Sequence, residues 1–391
     1  MKDVYVVEAL RTPFGTLGGA LADVPAPQLA AQTMAALLEK CRLKPERVGE
    51  VIVGQVLSGG CGQAPARQAM RHAGIPDAVP AMTINKVCGS GLKAVMLAAD
   101  SIRLGETATG IAGGMESMSL APYALDKARF GYRLGEGKLH DLMILDGLQD
   151  PDSGRHMGEI TEAWVEKHNL SREDQDAFAE RSYRRAQQAI SEGIFADEVV
   201  AVIRKTRKGE TRVEQDEEPF KVDFDRLPQL KPVFSKSGSI TAGNASTIND
   251  GAALCVIAGE EGLKQNDLTP RARLVAQATN STDPALFAEA PVEAIRRVVK
   301  KAGLQLQDID LFEINEAFAA VPLVAMRQLD LDPEKVNVNG GAVALGHPIG
   351  ASGGRLLTTL IHQLKRRGKR YGIATLCIGG GEAVAVLVEV V

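Results

Sequence analysis

No excess of positive charge runs through this 391-residue chain: 45 Lys and Arg stand against 49 Asp and Glu, a formal net charge of -4. Without a basic field there is little to grip a nucleic-acid backbone, and a nucleic-acid partner is not expected. Cysteine is sparse too. The five, Cys41, Cys61, Cys88, Cys255 and Cys377, are odd in number and scattered, with no CxxC pair and no His cluster at zinc-finger spacing. That pattern argues against a disulfide framework or a structural metal and for free thiols in a reducing compartment. No apolar run approaches the roughly 20 residues needed to cross a bilayer. The first residues, MKDVYVVEALRTPFG, lack the core of a signal peptide, and the last, LVEVV, are no peroxisomal address. The expectation is a cytoplasmic protein with no membrane partner. Nucleotide fingerprints are missing as well: no GxGxxG joins a first strand to a helix ahead of an acidic residue, and no GxxxxGK[ST] occurs.

Aromatic residues make up only 4%, whereas Gly reaches 40 residues and the hydrophobic share is 45%. Many tight turns and close backbone approaches are implied, which suits an α/β protein with functional loops at strand ends. The length calls for more than one subdomain. Residues 26–40 have helical periodicity and 48–56 (VGEVIVGQV) read as a short buried strand; 294–301 and 309–314 (IDLFEI) repeat that order, with Gly303 as the helix stop. Each strand is followed by a Gly-rich turn opening a helix, CGSGLK at 88–93 and IGASGG at 349–354, and then by a strand with a glycine cluster, 111–114 and 378–381. Duplication and a generic likeness between α/β units both account for this. Between the halves, residues 120–248 turn charged and helix-rich, as an inserted domain would. Ser171 and Asp174 have the spacing of a capping pair, and 204–220 reads as a solvated surface segment.

Cys88 falls where an extended segment becomes a helix, in NKVCGSG. Unpaired amides and the helix dipole at such a point favour a thiolate, and flanking glycines admit a substrate. A small buried structural cysteine is the other reading. His347, between Gly346 and Pro348, supplies an imidazole of the kind that activates thiols, or a ring merely satisfied by loop backbone. Cys377 closes a buried-strand pattern against Gly379, Gly380 and Gly381, where its side chain would emerge at a strand's C-terminal end. Asn315 follows the strand at 309–314, and a helix cap is its default role. Cys41, Cys61 and Cys255 have no comparable setting.

Taken in order, NKVCGSGLKAV at 85–95, GGMESMS at 113–119, HMGE at 156–159, TAGNAS at 241–246, NEAFA at 315–319, NVNGGAVALGHPIGASGGR at 337–355 and CIGGGEA at 377–383 closely resemble the thiolase family over nearly the whole chain. The resemblance implies a thiolase fold: two similar α/β core domains, each with a five-stranded sheet, in a layered αβαβα arrangement that shares a central helix layer. The N-terminal core would comprise 1–119 plus 249–268, a loop domain for CoA 120–248, and the C-terminal core 269–391. It implies interconversion of two acetyl-CoA with acetoacetyl-CoA and CoA, with CoA thioesters as substrates and no cofactor or metal. Cys88 would carry the acyl group, His347 would activate it, and Cys377 would move the proton at the second substrate's Cα. His347 and a water held by Asn315 would bind one thioester oxygen, and the amides of Cys88 and Gly379 the other. CoA contacts would come from Leu148, His156, Met157, Phe234, Ala242, Ser246, Ala317 and Phe318. A homodimer or homotetramer is implied.

Some residues depart from the family pattern. Residues 286–291 (LFAEAP) place Phe287 where methionine often borders the acyl pocket; Glu382 and Thr247 replace a common Met and Gly. Residues 130–148 resemble the short-chain, acetoacetyl-CoA type, with a broader 3-ketoacyl-CoA thiolase as the alternative. Related condensing synthases resemble a Cys-His-His set, which Cys377 argues against, and a lipid-binding thiolase-fold protein would have lost a reacting group.

Overall fold

The computed structural model describes residues 2–206 and 209–391. Among these residues nine strands form the main sheet: β1 (Val4–Arg11), β2 (Glu50–Gly54), β3 (Ala81–Ile84), β4 (Thr109–Ser117), β5 (Asn249–Gly259), β6 (Ala272–Ser281), β7 (Leu311–Ile314), β8 (Tyr371–Ile378) and β9 (Glu382–Val390). Their spatial order is β7-β8-β9-β6-β1-β5-β4-β2-β3, and a two-residue strand, Gly15–Thr16, pairs with β5. All residues of β4 and of β5 are buried, as strands with both faces covered must be.

Eight helices of at least eight residues, counted among the described residues, cover the sheet: α1 (Ala26–Cys41), α2 (Pro65–His72), α3 (Ser90–Leu104), α4 (Met157–Lys167), α5 (Arg172–Ser191), α6 (Ala290–Ala302), α7 (Ala320–Leu329) and α8 (Ser352–Arg366). α1 packs on one outer face and α6 on the other, while α3 and α8 touch each other and strands of both halves between them. The result is a five-layer αβαβα stack. In α8 every residue from Ser352 to Leu364 is buried, as expected of a helix enclosed on all sides.

The two halves repeat one topology. β3-β2-β4-β5-β1 in the first half has its counterpart in β7-β8-β9-β6 in the second, with the outermost strand reduced to one bridge between Phe312 and Val336. The expected second five-stranded sheet is therefore one strand short, and a side chain explains why. The Asn337 amide exchanges two 2.8 Å bonds with the Ile314 backbone, standing in for the ladder that a strand would provide. The halves also join into one sheet, through Tyr5 opposite Arg273 and Val6 opposite Ala272.

Residues 120–248 add no strand to the main sheet among the described residues; they contribute α4, α5 and two small hairpins. Ser171 caps α5 by accepting the Asp174 N–H. Asp174 does not complete the pair expected of it, because its carboxylate is drawn to Arg327 at 2.6 Å. The segment 204–220, of which 207 and 208 lie outside the described residues, is not wholly solvated. Its Asp216 is buried and takes both ends of the fully buried Arg11 guanidinium, at 2.7 and 2.9 Å, while Glu198 accepts from Arg11 Nε.

Candidate active site

β3 ends at Ile84 and α3 begins at Ser90, leaving a turn of five residues that ends in Cys88-Gly89. Ser90 Oγ accepts the Lys86 N–H at 2.8 Å and donates to the Val87 carbonyl at 2.7 Å, while Asn85 Oδ1 accepts the Val87 N–H. These bonds hold Val87 at a φ of 45°, a left-handed conformation that a β-branched residue seldom adopts. The strained turn presents Cys88, itself half-buried, to a cavity of about 290 Å³.

His347 and Cys377 line the same cavity, as does Gly379. The His347 loop leads into α8 as the Cys88 turn leads into α3, and the two helix starts meet backbone to backbone. A Cβ at Gly91 would lie 2.8 Å from the Gly350 carbonyl oxygen, and one at Gly114 only 1.9 Å from it. No larger residue fits at either position without parting the Gly350 loop from α3 and β4. This is the physical content of the CGSG and GASGG motifs.

Removal from water, the largest effect, pushes the Cys88 thiol up to about 11. The N–H groups of Gly379 and of Cys88 reach the sulfur and pull the other way, and the buried Glu116 carboxylate adds to the rise. The lowered pKa expected of a helix start is thus overturned: the amides are in place, but desolvation outweighs them. Burial holds His347 down at about 3, assisted by the Arg355 guanidinium, so its ring is neutral near pH 7. Cys377, at the end of β8, is fully buried, which raises its thiol strongly, and the neighbouring Cys88 raises it further.

Asn315 is no helix cap. α7 starts five residues later, at Ala320, and the Asn315 side chain lies 3.4 Å from His347 Nε2 instead. It is completely buried behind the histidine, does not line the cavity, and its Oδ1 has no partner among the described residues.

The other residues singled out in the sequence gather around the cavity with one exception. Leu148, His156, Met157, Phe234, Ser246, Ala317, Phe318 and Phe287 all line it. His156 caps α4 through Nδ1, which accepts the Gly158 N–H at 3.0 Å, and its ring stacks on Phe234 with centroids 5.0 Å apart. Burial lowers its pKa, which suits the acceptor role. Gly158 can carry no side chain, because a Cβ there would lie 2.1 Å from the Phe234 ring. Ser246 donates both its N–H and its hydroxyl to the Ala317 carbonyl, which docks TAGNAS on NEAFA. Ala242 is the exception: it lines an adjacent hollow with Lys221, Arg226 and Leu230, and Thr247 borders both that hollow and the cavity.

Sequence reasoning misses several residues that shape the site. Met118 and Ile349 line the cavity; Ser352 and Asn249 hold His347, through Nδ1 at 2.5 Å and the backbone N–H at 2.9 Å. Met118, Ile349 and Ser352 lie within motifs already noted, so position is visible and role is not. Asn249 follows the TAGNAS motif by three residues and carries no signal.

The chain matches the models of the thiolase N-terminal domain over residues 4–261 and of the thiolase C-terminal domain over 268–390. It is 49% identical over 397 residues to a protein named acetyl-CoA acetyltransferase from Cupriavidus necator, covering 100% of both chains. The protein of that name from Escherichia coli is 49% identical over 391 residues, covering 100% of this chain and 99% of the other. The crystal structure of the Bacillus anthracis acetyl-CoA acetyltransferase superposes with a TM-score of 0.98 at 44% identity, covering 100% of this chain and 99% of that one. Two matching domain models that together span almost every residue, and a fold shared at that level, place this chain in the thiolase family.

Proposed function

We propose that this thiolase interconverts two acetyl-CoA with acetoacetyl-CoA and CoA through an acetyl group carried on Cys88. The observation that carries the reading is the convergence of Cys88, His347 and Cys377 on one apolar-walled cavity, with the amides of Cys88 and Gly379 at the nucleophilic sulfur. The names of relatives at 49% identity over full length support the acetyl-CoA assignment.

In the first half-reaction Cys88 sulfur attacks the thioester carbonyl while its proton passes to neutral His347 Nε2. With the thiol raised and the imidazole lowered, no resting ion pair forms; the proton leaves as the sulfur bonds to carbon and charge moves to the carbonyl oxygen. The two amides then serve as donors to that oxygen. CoA departs as its thiol, taking the Cys377 proton. Cys377 thiolate next removes a Cα proton from the second acetyl-CoA, and protonated His347, with Asn315 beside it, stabilises the enolate oxygen. The enolate carbon attacks the Cys88 thioester, Cys88 sulfur leaves, and the proton on His347 returns to it. Each group ends as it began.

CoA contacts are assigned to Leu148, His156, Met157, Phe234, Ala242, Ser246, Ala317 and Phe318, and Phe287 to the acyl pocket. Acyl-CoA thioesters and free CoA are the partners this chemistry requires. An assembly of two or four copies is supported by the exposed apolar side chains of the hairpin region, Tyr123, Leu125, Phe130, Leu134 and Leu139. No helix among the described residues is long and apolar enough to cross a membrane. All five cysteines are free thiols, which supports a cytoplasmic setting.

The test is incubation with acetyl-CoA followed by peptide mapping, together with thiolytic kcat/KM for 3-ketoacyl-CoA of C4 against C8. One acetyl mass on Cys88 and a preference for C4 are expected. Acetyl on Cys377 would reverse the roles, and a strong preference for C8 would make the enzyme a broader 3-ketoacyl-CoA thiolase.

A further inference from the structure

Glu116, in the middle of GGMESMS, is fully buried near the end of β4, and no Lys or Arg pairs with it among the described residues. A carboxylate held away from water without a cation is unfavourable unless donors surround it. Three do, all backbone amides. Oε2 accepts from Val56 N at 3.0 Å and Gly350 N at 2.9 Å, and Oε1 from Leu57 N at 3.1 Å. These donors come from opposite halves of the chain: the segment after β2, and the loop that carries His347.

Two of the three amides belong to an apolar cluster that reaches the cavity wall through Met118 and Ile349. Val56, Leu57, Met118 and Ile349 form one buried apolar cluster, and Cys88 packs against it. Gly350 follows Ile349 directly and lies three residues after His347. Its own lack of a side chain is required by Glu116, since a Cβ there would sit 2.6 Å from Oε2. The other end of the same loop is tied to β5, where Asn249 Oδ1 accepts the His347 N–H. The base is thus suspended between two buried polar side chains on neighbouring strands of the half that carries the nucleophile.

We propose that Glu116 is a positioning residue: by accepting the Gly350, Val56 and Leu57 amides it fixes the height of the His347 loop above Cys88, and so sets the rate of the steps that His347 performs. This rests on His347 being the base for Cys88, as set out above. Glu116 touches no reacting atom; its effect reaches the chemistry through the loop.

The experiment compares Glu116→Gln, His347→Ala and the double variant with the unaltered enzyme in acetoacetyl-CoA thiolysis. The Gln side chain has the same shape but must turn its NH2 either towards the Leu57 amide or towards the Val56 and Gly350 amides together, so the clamp behind the loop loses at least one acceptor. The expected result is a fall in kcat of up to about 100-fold, the scale of a 1 Å misplacement, with KM for acetoacetyl-CoA within about threefold. The decisive reading is the pairing. If Glu116 acts through His347, Glu116→Gln costs almost nothing further in the His347→Ala background. Losses that multiply, or a Glu116→Gln enzyme with unchanged kcat, overturn the proposal.

Should the variant not fold, amide hydrogen exchange on the unaltered protein tests the same anchor. Gly350, Val56 and Leu57 are expected to exchange as slowly as the interior of α8, and exchange typical of an exposed loop overturns the proposal. An unaltered enzyme that does not cleave acetoacetyl-CoA refutes the functional reading instead, whatever the exchange data show.

Discussion

His347 Nδ1 lies 2.5 Å from the Ser352 hydroxyl, and that hydroxyl donates to the Pro348 carbonyl at 3.0 Å. With its proton committed to Pro348, Ser352 can only accept from the ring, so Nδ1 carries the hydrogen and Nε2 presents a lone pair. The Asn315 amide, an N–H donor 3.4 Å from Nε2, agrees with that tautomer. A serine at the start of α8 therefore chooses which nitrogen is the base.

Replacing Ser352 by Ala leaves the Nδ1–H of a buried ring without an acceptor, a cost of about 1 to 3 kcal/mol, and frees the ring to adopt the other tautomer. We expect kcat to fall by about 10- to 100-fold with KM little changed. Steady-state thiolysis checks this, and an unaltered kcat would remove Ser352 from the account.

The pH dependence of Cys88 follows from its surroundings. Because desolvation pushes the thiol up to about 11, the thiol form dominates near pH 7 and thiolate grows only as pH rises. Alkylation of the free enzyme by iodoacetamide, followed at Cys88 by peptide mass, should accelerate continuously from pH 7 to pH 9. A plateau beginning near pH 7 would reveal a resting thiolate and contradict this electrostatic picture.

Cys377→Ala should still take up one acetyl group on Cys88, since a CoA thiolate can leave unaided, yet turn over slowly because the Cα proton has no acceptor. A loss in the range of about 100- to 10,000-fold is the usual weight of a general acid-base group. Burst acylation and steady-state turnover measured on one preparation separate the two, and failure to acylate in a folded variant would refute this division of labour.

Phe287 is almost wholly buried, at 3% exposure, and lines the cavity. Phe287→Leu should enlarge the acyl end and raise the C6 to C4 ratio of kcat/KM for 3-ketoacyl-CoA by roughly 10-fold, the worth of a methylene or two in an apolar pocket. An unchanged ratio would show that another residue limits chain length.

Away from the site, Asp216→Asn leaves the Arg11 guanidinium only partly compensated in a dry interior. Breaking such a buried pair typically destabilises by about 3 to 5 kcal/mol. Urea denaturation of the variant should show a lowered midpoint, and an unmoved midpoint would mean that Glu198 alone suffices for Arg11.

Much of the site is legible in the sequence because its chemistry is concentrated in short motifs. Cys88, His347 and Cys377 each fall at a glycine-marked strand or helix end, and periodicity places α1, α6, β2 and β7 to within a few residues. What sequence conceals are effects that act across long separations. The Cys88 pKa depends on walls contributed by residues 56, 118 and 349, and no local pattern reports how dry those walls are. Asn315 has the composition of a cap, but its partner His347 is 32 positions away. Asp216 sits among charges that look solvated until Arg11 arrives from 205 residues upstream. The missing second-half strand is hidden for a similar reason, since a single asparagine side chain replaces its backbone.

The contact of Gly350 with Gly91 and Gly114 joins segments that lie far apart in the chain, and it makes reactivity a late property of folding. A polypeptide whose two halves have formed separately holds two ordinary thiols and a distant imidazole, none of them primed against a neighbour. Only docking to backbone contact brings the nucleophile, the imidazole that takes its proton and the second thiol to one cavity.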